Sequence, residues 1–117
     1  MITAADFRRM ALSFPEATES SHMDHPDFRV GGKIFATLGP GEKWGVLMLS
    51  PDEQKEFVAK TPGSFSPVEG GWGRRGCTHV HLEEVDSTLL RQAMTLAWRK
   101  RAPRRLLAKT ASKIIRK

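Results

Sequence analysis

Apolar residues recur with helical spacing in three stretches of the chain and alternate with polar residues in the segments between them. Phe7, Met10, Ala11 and Phe14 stand at i, i+3, i+4 and i+7, so the first stretch is read as a helix with one buried face. Thr3 is available to cap it with Asp6 three residues on, and Pro15 ends it. The second helix has the clearest start signal: Ser50 as cap, Pro51 in the first helical position, and Asp52 and Glu53 in the first turn. Phe57 and Val58 supply its packing face, and it stops before Thr61-Pro62-Gly63. The third begins at about Asp86 or Ser87 and carries Leu89, Leu90, Ala93, Met94, Ala97 and Trp98 as one apolar stripe, broken or kinked at Pro103.

The intervening segments read as strands. Over residues 28–38 the alternation places Phe28, Val30, Gly32, Ile34, Ala36 and Leu38 on a core face, with Arg29, Gly31, Lys33, Phe35 and Thr37 on the other. A turn over residues 39–43 leads to the nearly continuous apolar run Trp44 to Leu49, and the two form a hairpin with the second strand central. Residues 77–83 alternate again, with Thr78, Val80 and Leu82 inward and Cys77, His79, His81 and Glu83 on a solvent-facing row. Residues 64–68 form a weaker strand and residues 18–23 a further edge strand. The predicted fold class is therefore α+β in the order α-β-β-β-α-β-β-α, a central antiparallel sheet with helices mainly on one face, followed by a basic C-terminal helix.

At 117 residues and 13.1 kDa the chain suits one domain, placed at residues 1–101, with residues 102–117 as an extension. No apolar run approaches the roughly 20 residues of a membrane span, and the single Cys77 forms no intramolecular disulfide, so a cytoplasmic protein without a membrane partner is expected. The net charge of +6 changes the picture only through its placement. Nine of the 19 basic residues, and none of the 13 acids, fall in residues 99–117, which leaves ten bases against 13 acids before them, a net of −3.

Phe28-Arg29-Val30-Gly31-Gly32-Lys33-Ile34-Phe35-Ala36, then Trp44-Gly45, the loop Gly70-Gly71-Trp72-Gly73 and the closing helix with Ala97-Trp98 together resemble the MmcQ/YjbR family of small bacterial proteins. The likeness covers about residues 3 to 101 and lies in the order and spacing of these blocks. It implies a compact α+β fold described as CyaY-like or double-wing, a DNA-binding role, and no catalytic residues.

The residues themselves carry little catalytic chemistry. Gly71-Trp72-Gly73-Arg74-Arg75-Gly76 matches G-x-G-x-x-G, but a strand follows it and no βαβ unit surrounds it, so it reads as a flexible connection between strands or, as the alternative, a loop that presents Trp72, Arg74 and Arg75. An indole stacks on bases and guanidinium groups contact phosphate. His79 and His81 share a strand face, and His22, Asp24, His25 or Asp27 would have to join them to surround zinc at about 2.0 to 2.3 Å; no paired ligand spacing supports this. Cys77 reads as a small structural hydrophobe and not as a nucleophile. No catalytic residue, metal or cofactor is expected.

The extension has its own pattern. Leu107, Ala111, Ile114 and Ile115 form an apolar row and Arg105, Lys109, Lys113 and Arg116 a basic one, with Arg104 and Lys117 adding charge. With the apolar row packed on the body or on a second subunit, as a weak homo-oligomer, the basic row becomes a phosphate-binding ridge whose affinity comes from counterion release. The bland alternatives are a solubilising tail and a membrane-surface helix. The resulting expectation is a non-catalytic DNA-binding protein with Arg29, Lys33, Trp72, Arg74 and Arg75 as secondary contacts. The rival is a small-molecule or protein-interaction module using Phe35, Trp44 and Trp72 on the sheet face.

Overall fold

The structure is a computed structural model that describes residues 2–22, 25–39 and 43–107. Its elements are α1 (Ala4–Leu12), β1 (Thr18–His22), β2 (His25–Val30), β3 (Lys33–Leu38), β4 (Trp44–Met48), α2 (Pro51–Lys60), β5 (Phe65–Pro67), α3 (Gly71–Arg74), β6 (Cys77–His81) and α4 (Ser87–Arg101). The strands form one sheet in the order β1-β2-β3-β4-β6-β5, with every neighbouring pair antiparallel. The α+β class and the antiparallel sheet are as the sequence predicts.

Local chemistry sets the helix starts. Thr3 Oγ1 accepts from the Asp6 N–H while Asp6 Oδ2 accepts from the Thr3 N–H, both at 3.0 Å, and Ser50 and Glu53 repeat this capping box at 3.1 and 2.8 Å. Asp86 caps α4 through the Leu89 N–H, and the helix ends at Arg101, ahead of Pro103. A further helical turn spans residues 104–107, with Leu106 buried against the body.

The core lies between one face of the sheet and the helices α1 and α4. Phe7, Met10 and Ala11 enter it from α1, and Leu90, Ala93, Met94, Ala97 and Trp98 from α4. Phe28, Val30, Phe35, Leu38, Leu47 and Val80 meet them from the sheet. Phe14 stacks on Trp98 at 5.8 Å and stands edge-on to Phe35 at 6.1 Å. The buried Trp98 indole donates to the Pro15 carbonyl at 3.2 Å, which satisfies its one polar atom.

Two departures from the predicted strands matter for the rest of the molecule. Residues 28–38 are not one strand: Gly31 and Gly32, at φ 60° and 78°, make a tight turn between β2 and β3, as a hairpin turn with two left-handed centres requires. In addition, the partner of Phe28 is Ala36 while that of Arg29 is Ile34, so β3 holds one extra residue. This bulge turns Phe35 into the core, fully buried, and leaves Ile34 half-buried on the opposite face beside Arg29, the reverse of the simple alternation. A third correction concerns Cys77, which was expected on a solvent-facing row but is buried, its thiol donating to Met48 Sδ at 3.4 Å.

Candidate functional site

With α1 and α4 on one face of the sheet, the other face carries a second set of side chains. Thr37 of β3 pairs with Val46 of β4, and Val46 with His79 of β6, so the three share one pleat and one face. Met48 and Cys77 form the next pair on that face, and Trp44 with His81 the one before. Val68 and Trp72 rise along one side and Arg29, Lys33 and Arg101 along the other, enclosing a concavity of about 850 Å³. Small-molecule sites span roughly 300 to 1,000 Å³.

The concavity is polarised along its length. Arg29 and Ile34 are register partners, Lys33 precedes Ile34, and Arg101 Nε donates to the Ile34 carbonyl at 3.3 Å, so three cations gather at the β2–β3 turn. Asp27, wholly buried, holds Arg29 through Nε–Oδ1 and Nη2–Oδ2 contacts of 2.8 and 3.1 Å and raises its pKa above the ordinary value. Lys33 is exposed and makes no ion pair with a described residue. At the opposite end the Trp44 and His79 rings meet edge-on at 4.5 Å. Burial pushes the His79 pKa down and the nearby His81 adds to this, against the pull of Glu69, so the imidazole is neutral near pH 7.

Trp72 sits on the single turn of α3 with its indole exposed, 65% accessible, and the Arg75 guanidinium lies 5.6 Å from its ring centre. Gln54, buried on α2, holds this loop by donating to the carbonyls of Gly73 and Cys77, both at 2.9 Å. Burial raises the Cys77 thiol pKa, with Arg101 and Arg75 opposing, the reverse of what an activated nucleophile needs. His81 meets the Ser66 hydroxyl at 3.1 Å. Among the described residues no group of three or more His, Cys, Asp or Glu is placed to hold a metal ion.

Of the residues singled out in the sequence, Arg29, Lys33 and Trp72 line this one concavity, and Arg75 stacks beside them. Arg74 and Arg104 are exposed without an ion pair to a described residue. Arg105 is paired with Glu16 at 2.7 and 2.8 Å. Lys109, Lys113, Arg116 and Lys117 lie outside the described residues. Phe35, part of the rival sheet-face surface, is in the core, so only Trp44 and Trp72 remain to that face. Arg101, Val46 and Met48 were not singled out as site residues. Arg101 was legible only as one of several cations at the end of α4, and the other two as members of an apolar strand.

Among the described residues no helix is long and apolar enough to cross a membrane. No curated protein matches the chain. Among solved structures the chain is similar to the crystal structure of Deinococcus radiodurans protein DR2400, which carries the domain DUF419, with a TM-score of 0.69 over 84% of this chain and 77% of that one. At 20% identity this likeness speaks to the fold alone. The family model described as YjbR matches residues 12–100, from the end of α1 to the last turn of α4, and therefore takes in the whole sheet and its uncovered face. On that match the chain belongs to the YjbR family.

Proposed function

We propose that the chain is a non-catalytic nucleic-acid-binding protein that takes single-stranded DNA on the uncovered sheet face, with the cations of residues 104–117 adding sequence-independent attraction. The observation that carries this reading is the convergence of an exposed indole, Trp72, with Arg29, Lys33 and Arg101 on one concave surface. Stacking platforms need unstacked bases, which favours single strands over duplex, and cations beside the platform follow the phosphates. Arg29 contributes shape more than charge, since Asp27 answers it; Lys33 and Arg101 supply the field. Cys77 and the two histidines take no chemical part.

The test is fluorescence anisotropy with a labelled oligo-dT and a duplex of equal length, read over a salt series with the full chain. Single strand binds more tightly than duplex, Trp72→Ala weakens it by roughly 5- to 100-fold, as loss of one stacked base does, and Lys33→Gln lowers the salt slope by about 0.7. Removing residues 108–117 weakens both ligands and flattens both slopes. Loss of all binding on that truncation, with Trp72→Ala and Lys33→Gln inert, would place the function in the extension and not on the face.

A further inference from the structure

The floor of the concavity has a property that nucleic-acid binding does not require. Between the cationic end and Trp44 it is made of Ile34, Val46 and Met48, with Thr37 and Cys77 beside them and Val68 at the side, and none of the described residues that line it is a carboxylate. A phosphate backbone gains nothing from such a floor, and a neutral apolar ligand gains nothing from Lys33 and Arg101. A small ligand that uses both is an organic anion with its charge at one end. Burial of its body on the floor contributes hydrophobic free energy, and its head meets the exposed Lys33 and the half-buried Arg101, neither of which is ion-paired to a described residue.

The register gives the length such a ligand spans. The cations gather around Ile34, while Trp44 lies next to Gly45, the partner of Leu38. Four or five strand residues at about 3.3 Å each put roughly 15 Å between the two ends. The far end is aromatic, with Trp44 against a neutral His79, and suits a ring and not a second charge.

We propose that this concavity is a binding site for a small amphipathic organic anion, one carboxylate, sulfonate or phosphate group on a planar apolar body, with the head at Lys33 and Arg101 and the body on Val46 and Met48 toward Trp44. This site stands whether or not the same face also takes nucleic acid.

A matched pair of probes tests it: 8-anilinonaphthalene-1-sulfonate, and N-phenyl-1-naphthylamine, the same ring system without the charge. In the full chain, with no nucleic acid present, the sulfonate binds once per protein with enhanced fluorescence, and its amide shift changes fall on β3, β4 and β6. Lys33→Gln raises its dissociation constant about tenfold and leaves that of the neutral probe within twofold. Val46→Glu, which puts a carboxylate on the floor, abolishes sulfonate binding; an unchanged amide spectrum away from β4 shows that this variant is folded. Equal affinity for the two probes, indifference to Lys33→Gln, several probes per chain, or shift changes on the helices would overturn the proposal. Because the titration contains no DNA, its result is independent of the oligo-dT experiment.

Discussion

The Arg105 guanidinium lies in bidentate contact with the Glu16 carboxylate, Nη1 to Oε2 at 2.7 Å and Nη2 to Oε1 at 2.8 Å. The pair ties the turn after α4 to the connection between α1 and β1, next to the Pro15 carbonyl that receives the Trp98 indole. Leu106 is buried at the same place, so the start of the extension packs as part of the body. One cation of the basic row is thereby answered within the molecule, which, in the proposed DNA-binding reading, shifts the weight of phosphate contact toward the sheet face.

Glu16→Gln separates the two uses of Arg105. Both side chains are more than half exposed, 62% and 52%, so water screens the pair and the melting temperature stays essentially unchanged. Released from its carboxylate, Arg105 becomes available to a nearby phosphate, and the salt slope for oligo-dT binding steepens by up to about 0.7. A slope identical to that of the parent protein would show that the backbone of the bound strand passes elsewhere.

A second expectation concerns the loop that presents Trp72. Gln54 Nε2 donates both of its hydrogens into this loop from a buried position. Gln54→Ala removes both bonds and costs about 1 to 3 kcal/mol, because each carbonyl keeps a second partner, Gly76 N–H for Gly73 and Val68 N–H for Cys77. Gln54→Glu has nearly the same shape yet places an acceptor-only carboxylate against two carbonyl oxygens. It is expected to be the worse of the two at pH 7 and to recover as the pH falls and the carboxyl regains a proton. Gly73→Ala is a separate probe of the same loop: a Cβ there would lie 1.6 Å from the Val68 carbonyl oxygen, backbone that cannot step aside cheaply. Urea unfolding of the three variants at pH 7 and 4.5 checks the order, and equal stability of the Glu and Gln forms at pH 7 would mean that the loop lets water reach position 54.

How much of this was legible before the fold was known follows from which interactions are local. Caps act over three residues, so Thr3 with Asp6 and Ser50 with Glu53 announce their helices correctly, while α4 is placed by its apolar stripe to begin at about Asp86 or Ser87. The apolar stripe of α4 is equally local: Leu90, Ala93, Met94, Ala97 and Trp98 are buried as predicted, and Leu89 is half-buried against the core. The bulge at Phe35 is set by which residue of β2 stands opposite, a long-range fact, and alternation alone gave the wrong face to both Ile34 and Phe35. Gly31-Gly32 is visible as a pair of glycines, but the polarity pattern continues across the turn and so does not mark the break between β2 and β3. Arg29, Lys33 and Trp72 were chosen for their chemistry; that they share a concavity with Arg101 comes from the strand order and the end of α4, neither of which leaves a periodic trace.

Glu53 offers a last test, in which pH separates charge from hydrogen bonding. Its carboxylate accepts from the Ser50 N–H at 2.8 Å and from Lys100 Nζ at 2.9 Å, joining the start of α2 to the end of α4. Burial on its own would raise the carboxyl pKa, but the Ser50 N–H, then Lys100, outweigh it and hold the group below its ordinary value of 4.5. A carboxylate whose pKa is lower in the folded than in the unfolded chain adds stability that is fully present above the unfolded value and is lost as the pH falls through the folded one. Glu53→Gln keeps an acceptor for Ser50 and removes only the charge, so the variant is expected to be less stable by about 0.5 to 1 kcal/mol at pH 7, screening by water included. That gap should begin to close below pH 4.5 and vanish as Glu53 itself becomes neutral, and Lys100→Met should reproduce part of it at pH 7. A gap that persists undiminished at pH 3 would assign the loss to the altered hydrogen bond and leave the Lys100 pair without a measurable role.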